Sequence, residues 1–172
     1  MQEKGKVIFL NGPSSVGKST LAKKLQIILP DIFYLMAIDQ YQIEIVPPKG
    51  VFLELDVHEQ SKEMFYHAVE LHLSKGFNLI IDDVVDSLDY YQYVGERLKG
   101  SSVFWVRLNC SLKTLLLREE KRKDREADFD NVKMQYKNIF PKEGYQIVID
   151  SEYVSADDNA MTIREGYYND KI

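Results

Sequence analysis

The sequence predicts an α/β fold, a parallel sheet covered by helices on both faces. Three observations carry this. Short apolar runs alternate along the chain with stretches of helical periodicity. A glycine-rich turn, Gly12-Pro13-Ser14-Ser15-Val16-Gly17-Lys18-Ser19, stands between the first apolar run and the first helix. Two other runs end in aspartate, at Asp39 and at Asp82-Asp83, where open α/β sheets gather their ligands. No repeat, low-complexity tract or Gly/Ser linker interrupts the pattern, so the 172 residues read as a single domain, 1–172.

The first strand is Val7-Ile8-Phe9-Leu10, with the β-branched and aromatic residues of a buried strand. Leu21, Leu25, Ile28 and Leu29 then recur at helical spacing until Pro30 stops the run. Further strands are predicted over 33–38, 77–82, 103–108 and 145–149. Asp56 with Glu59 resembles a capping box, opening a helix that turns Val57, Met64, Phe65, Ala68 and Leu71 inward and stops at Lys75-Gly76. A shorter helix is predicted over 90–99, ending at Gly100, and another begins near Ser111. The segment 130–139 reads as a helix halted before Pro141, and Ser155 with Asp158 caps a last helix through about Tyr167.

The glycine turn fits the phosphate-binding P-loop pattern G-x-x-x-x-G-K-S/T and has the strand before it and the helix after it that the pattern requires. Gly12 and Gly17 let the backbone curl so that successive N–H groups point at phosphate oxygens, and the helix N-terminus adds partial positive charge. Lys18 suits the β- and γ-phosphates, a catalytic as well as a binding duty, and the Ser19 hydroxyl suits magnesium. The candidate nucleotide-binding set is Gly12, Pro13, Ser14, Ser15, Val16, Gly17, Lys18, Ser19 and Thr20. A glycine turn that merely precedes a helix is the bland alternative, and both flanks argue against it.

Two strand ends supply acids. Leu79-Ile80-Ile81 before Asp82 resembles a Walker B strand, so Asp82 joins Ser19 as a magnesium candidate, although strands also end in Asp for turn chemistry. Asp83 reads as pointing across the sheet for a structural purpose. Asp39, at the end of a strand expected beside the first, is the candidate general base for an acceptor hydroxyl; the alternative is that it caps a helix beginning near Gln40.

Residues 118–126 form an unbroken run of nine charged side chains. On a continuous helix Arg118, Arg122 and Arg125 share one face, and Glu119 pairs with Lys123 on the next. Stacked arginines repel by roughly a few tenths of a kcal/mol per pair. That arrangement suits a polyphosphate arriving between them, because the guanidinium fork grips phosphate oxygens in pairs. The segment 118–130 is therefore a candidate lid, with Arg118, Arg122 and Arg125 as phosphate contacts and Arg122 as a catalytic group; a solvated helix is the alternative.

Composition narrows the partners. A formal charge of −5 argues against nucleic acid, whose phosphates are met by basic surfaces. One cysteine, Cys110, cannot form an internal disulfide, and the apolar run after Lys4 and Lys6 is too short for a leader or a membrane span; a cytoplasmic protein is expected. His58, His67 and His72 do not align on one helix face, so no metal cluster follows. Trp105, inside a strand, is expected in the core. Tyr41, Phe52, Tyr66, Tyr90, Tyr91 and Tyr93 fall in segments expected to line an acceptor pocket or to pack helix faces.

Together these residues resemble the chloramphenicol phosphotransferase family of small P-loop kinases. The resemblance runs from Ile8-Phe9-Leu10-Asn11 through the P-loop, Leu29-Pro30, Ile38-Asp39 and Ile80-Ile81-Asp82-Asp83-Val84. It continues through Val103-Phe104-Trp105-Val106-Arg107, Arg118-Glu119, Arg122, Asp124-Arg125, Tyr145 and Asp150. It implies a P-loop NTP hydrolase fold with a five-stranded parallel sheet of adenylate-kinase or shikimate-kinase type, ATP and Mg2+ as cofactors, and a small-molecule hydroxyl as acceptor. It also implies Asp39 as base and Arg118, Arg122 and Arg125 in the lid. Where the antibiotic kinases carry a longer insertion, this chain has only a short loop, 41–55, broken by Pro47-Pro48-Lys49-Gly50. The machinery follows from the resemblance and the acceptor does not.

The first functional expectation is thus a magnesium- and ATP-dependent kinase of a small hydroxylated molecule. A kinase of nucleotide sugars, like the zeta-type toxins, or of another metabolite is the second. A non-catalytic nucleotide-binding regulatory protein is the third; a GTPase switch lacks its Asn-Lys-x-Asp sequence here. Self-association is left open.

Overall fold

The computed structural model describes residues 3–41, 49, 57–123 and 126–169. β1 (Val7–Asn11) is buried at every position, as a central strand flanked by helices on both faces must be. After it come α1 (Lys18–Ile28), β2 (Phe33–Ala37), a 3-10 turn at Ile38–Tyr41 and α2 (Val57–Ser74). Then follow β3 (Asn78–Asp83), α3 (Leu88–Arg97), β4 (Val103–Asn109), α4 (Leu112–Glu120), α5 (Phe129–Asn138), β5 (Ile147–Asp150) and α6 (Ala156–Asn169). The five strands pair in parallel in the order β2-β3-β1-β4-β5.

Alternation along β1 divides the core. Ile8 and Leu10 pack with Leu21 and Leu25 of α1 and Ile163 and Tyr167 of α6. Val7 and Phe9 pack with Phe65, Tyr66 and Val69 of α2 and Val94 of α3. Register sets Leu10 beside Asp82 and Asn11 beside Asp83, so the acids of β3 stand level with the start of the glycine turn.

The expected elements all form, with bounds moved by a few residues; the last strand begins at Ile147, so Tyr145 lies ahead of it. Four expectations are corrected. β2 is not beside β1: it is an edge strand separated from β1 by β3. In α2, Met64 and Leu71 are more than half exposed, and the buried stripe is Ser61, Phe65, Tyr66, Val69 and Leu73. α4 ends at Glu120, so Arg118 and Arg122 do not share a helical face. Trp105 is half-buried, stacked on Phe9 with ring centroids 4.3 Å apart. Asp56, Phe52, Arg125 and most of the loop 41–55 lie outside the described residues. Among the described residues no helix is long and apolar enough to cross a membrane.

Candidate active site

The glycine turn is held from behind by a buried asparagine. Asn11 has no exposed surface; its amide donates to Phe140 O and to the Tyr145 hydroxyl, each at 2.8 Å, and its Oδ1 accepts from Val85 N at 2.9 Å. Burial pushes the Tyr145 hydroxyl up to about 12. Asn11→Ala orphans the buried Val85 amide, at about 1–3 kcal/mol, and removes a partner from the part-buried Phe140 carbonyl and Tyr145 hydroxyl. We expect urea unfolding to show a loss of about 2–4 kcal/mol; an unchanged midpoint would remove Asn11 as the anchor.

Within the turn, Gly17 has φ 107° and Ser15 has φ 64°. At Gly12 a Cβ would stand 2.8 Å from the Leu108 carbonyl oxygen, so backbone packing there requires glycine. The Lys18 ammonium donates to Gly12 O at 2.9 Å and Pro13 O at 3.2 Å and lies 3.8 Å from Asp82 Oδ1. The Ser19 hydroxyl donates to Asp82 Oδ2 at 2.6 Å. Gly12 and Pro13 thus stand behind the lysine.

A cavity of about 600 Å³ opens along the carboxyl ends of the strands. Ser14, Ser15, Val16, Gly17, Lys18, Ser19 and Thr20 line it together with Asp82, Arg118 and Arg122. Asp39 lines it too, exposed on the single 3-10 turn rather than capping an α-helix. Although β2 is an edge strand, its end still reaches the cavity. Arg118 is fixed across it: Nη1 donates to Val16 O at 3.1 Å and Nη2 to Ser151 O at 2.5 Å. Of the predicted residues, the cavity thus brings together the loop from Ser14 to Thr20, two arginines and the strand-end acids; Gly12 and Pro13 do not line it, and Arg125 lies outside the described residues.

Asp83 is buried at the end of β3, where its Oδ2 accepts from the Tyr66 hydroxyl at 2.6 Å and the Tyr90 hydroxyl at 2.7 Å. Burial raises its carboxyl above the ordinary carboxylate range. One acid ties α2 and α3 to the sheet, as expected of a structural residue, and the same Asp83 also lines the cavity beside Asp82. Tyr66, Tyr90 and Tyr93 pack edge-to-face or stacked around it, Tyr41 meets Phe65, and Tyr91 meets Trp105 and Phe140. Packing accounts for the aromatic residues described.

The sequence reading missed the other end of the cavity, where Ser151, Glu152, Val154, Ala156 and Asn159 follow β5. No motif marks them; their only signal is position after a strand end. It also missed Glu119, expected on the surface beside Lys123 and in fact fully buried.

For magnesium, the described residues include no group of three or more His, Cys, Asp or Glu side chains able to hold a metal. Ser19 and Asp82 offer hard oxygen donors side by side. That sparse set fits an ion that keeps waters and takes its remaining ligands from substrate phosphates.

The sheet order and the cradle after β1 define the class: this is the P-loop kinase fold. Among solved structures, a Mycobacterium tuberculosis APS kinase in complex with AMPPNP and APS superposes with a TM-score of 0.71 at 14% identity, covering 97% of this chain and 99% of that one. A Deinococcus radiodurans tunicamycin resistance protein gives 0.70 at 19% identity, covering 95% and 96%. The chain belongs to the chloramphenicol phosphotransferase-like protein family, which it matches over residues 5–168. A Mycobacterium tuberculosis protein named "Putative O-phosphotransferase" is 25% identical over 150 residues, 70% of this chain and 64% of that protein. The match thus spans less than two thirds of the length of the curated relatives.

Proposed function

We propose that this protein transfers the γ-phosphoryl group of ATP to a hydroxyl of a small molecule, with magnesium. The observation that carries the reading is the convergence of Lys18, Ser19, Asp82 and Asp39 on one cavity that also receives Arg118 and Arg122. Family membership and the kinase fold of the structural neighbours support it.

On this reading the loop amides from Ser14 to Thr20 and the N-terminus of α1 hold the β- and γ-phosphates, and Lys18 offsets their charge. Ser19 and Asp82 would hold magnesium, which when bound spreads the negative charge of the phosphate oxygens. Asp39 orients the acceptor hydroxyl and takes its proton. The acceptor oxygen bonds to the γ-phosphorus, the bond to the bridging oxygen breaks, and ADP leaves. Arg118 and Arg122 stabilise the charge that develops on the transferring group. The cavity beside Asp39 argues against a purely regulatory nucleotide-binding role.

The test is to incubate the protein with ATP, magnesium and a mixture of metabolites and hydroxylated antibiotics, then search by mass spectrometry. One compound is expected to gain the mass of a phosphoryl group, and a Lys18→Ala control to yield none. Transfer only to an oligonucleotide 5′ end would replace the small-molecule reading.

A further inference from the structure

The charge run after α4 begins with an acid that does not face water. Glu119 has no exposed surface, and a carboxylate taken wholly out of water needs its oxygens occupied. Its Oε2 accepts from the Ser15 hydroxyl at 2.5 Å and lies 4.0 Å from the Arg122 guanidinium. Its Oε1 accepts from the Asp128 amide at 3.1 Å. These partners belong to three separate pieces of chain: the P-loop, the segment leaving α4 and the cap of α5.

Ser15 is the described non-glycine residue with positive φ, a conformation that persists when its surroundings over-determine it. A second contact reaches the preceding loop residue, where the Gln135 side-chain oxygen, buried on α5, accepts from Ser14 N at 2.8 Å. Two consecutive residues of the cradle are therefore fixed from α4 and α5, outside the strand-turn-helix unit that carries the motif.

We infer that Glu119 is a positioning residue of the phosphate cradle: it holds Ser15 in the left-handed turn that aims the loop amides and keeps Arg122 beside the cavity. What the cradle holds rests on the phosphotransferase reading, whereas the Glu119–Ser15 contact lies within the chain itself. Loss of a merely structural acid weakens every ligand of the cavity alike. Loss of a positioning acid weakens only the part of a ligand that the loop amides grip.

The experiment compares wild type, Glu119→Gln and Ser15→Ala, measuring affinity for MgATP and for adenosine by calorimetry and hydrogen exchange over residues 12–20 in the ligand-free protein. Both variants are expected to weaken MgATP roughly tenfold, as loss of a hydrogen bond near a charged ligand does, while leaving adenosine unchanged. Exchange over 12–20 is expected to accelerate in both, and the double variant to be no worse than the weaker single one. Equal losses for the two ligands, or no loss, overturn the inference. Should wild type bind no ATP, the phosphotransferase reading falls, and exchange in the ligand-free variants alone decides Glu119: faster over 12–20 upholds it, unchanged refutes it. If Glu119→Gln does not fold, Ser15→Ala carries the same comparisons.

Discussion

An Asp39→Asn variant is expected to bind MgATP like wild type and to turn over about 10²–10⁴ times more slowly, the range that general bases contribute. Asparagine keeps the size and one carbonyl oxygen but cannot take a proton. The side chain is exposed on a short 3-10 turn that lines the cavity, so the substitution does not disturb the core. The loop, Lys18 and the Ser19–Asp82 pair stay as they are, so on the proposed reading nucleotide binding is expected to persist. Turnover is measured with whichever acceptor mass spectrometry identifies, and binding by calorimetry. Equal turnover in the two proteins would remove Asp39 as the base. A parallel loss of ATP affinity would instead assign it to the nucleotide.

Lys18→Ala is expected to lose both binding and turnover. A hydrogen bond to a charged group contributes about 1.5–3 kcal/mol, which corresponds to roughly 10–100-fold in ATP affinity. The effect on turnover is expected to be larger, because in the proposed transfer the ammonium also meets charge that grows on the phosphoryl group. Its place supports this reading: the side chain is buried, at hydrogen-bond distance from two loop carbonyls and 3.8 Å from Asp82. Truncation also removes the donor that draws Gly12 O and Pro13 O together, so the loop itself loosens. Circular dichroism should show the fold intact, and calorimetry the loss of affinity. Wild-type affinity in this variant would contradict the cradle assignment.

Much of the site was legible because its parts are local. The P-loop is contiguous, with its strand and helix on either side, and a strand that ends in acid can be read from a few residues. The errors arose where distant residues decide. The charge run fits one continuous helix by spacing alone, yet α4 stops at Glu120 and the Glu119 carboxylate turns inward to Ser15 and the Asp128 amide. Met64 and Leu71 fit an apolar stripe, but Tyr66 takes the inner face of α2 because its hydroxyl meets Asp83, seventeen residues along the chain. Nothing near Tyr66 announces that partner.

The amino-acid order by itself determined the alternation of strands and helices, the phosphate-type loop after the first strand and the acids at strand ends. These depend on side-chain period and on backbone freedom within a few residues. Only the tertiary structure decided that β3 rather than β2 lies against β1, that Glu119 and Gln135 reach the loop from α4 and α5, and that the segment after β5 lines the cavity. Strand pairing and buried polar contacts join groups far apart in the chain. Their partners are selected by which surfaces meet when the whole core excludes water, and no local pattern encodes that choice.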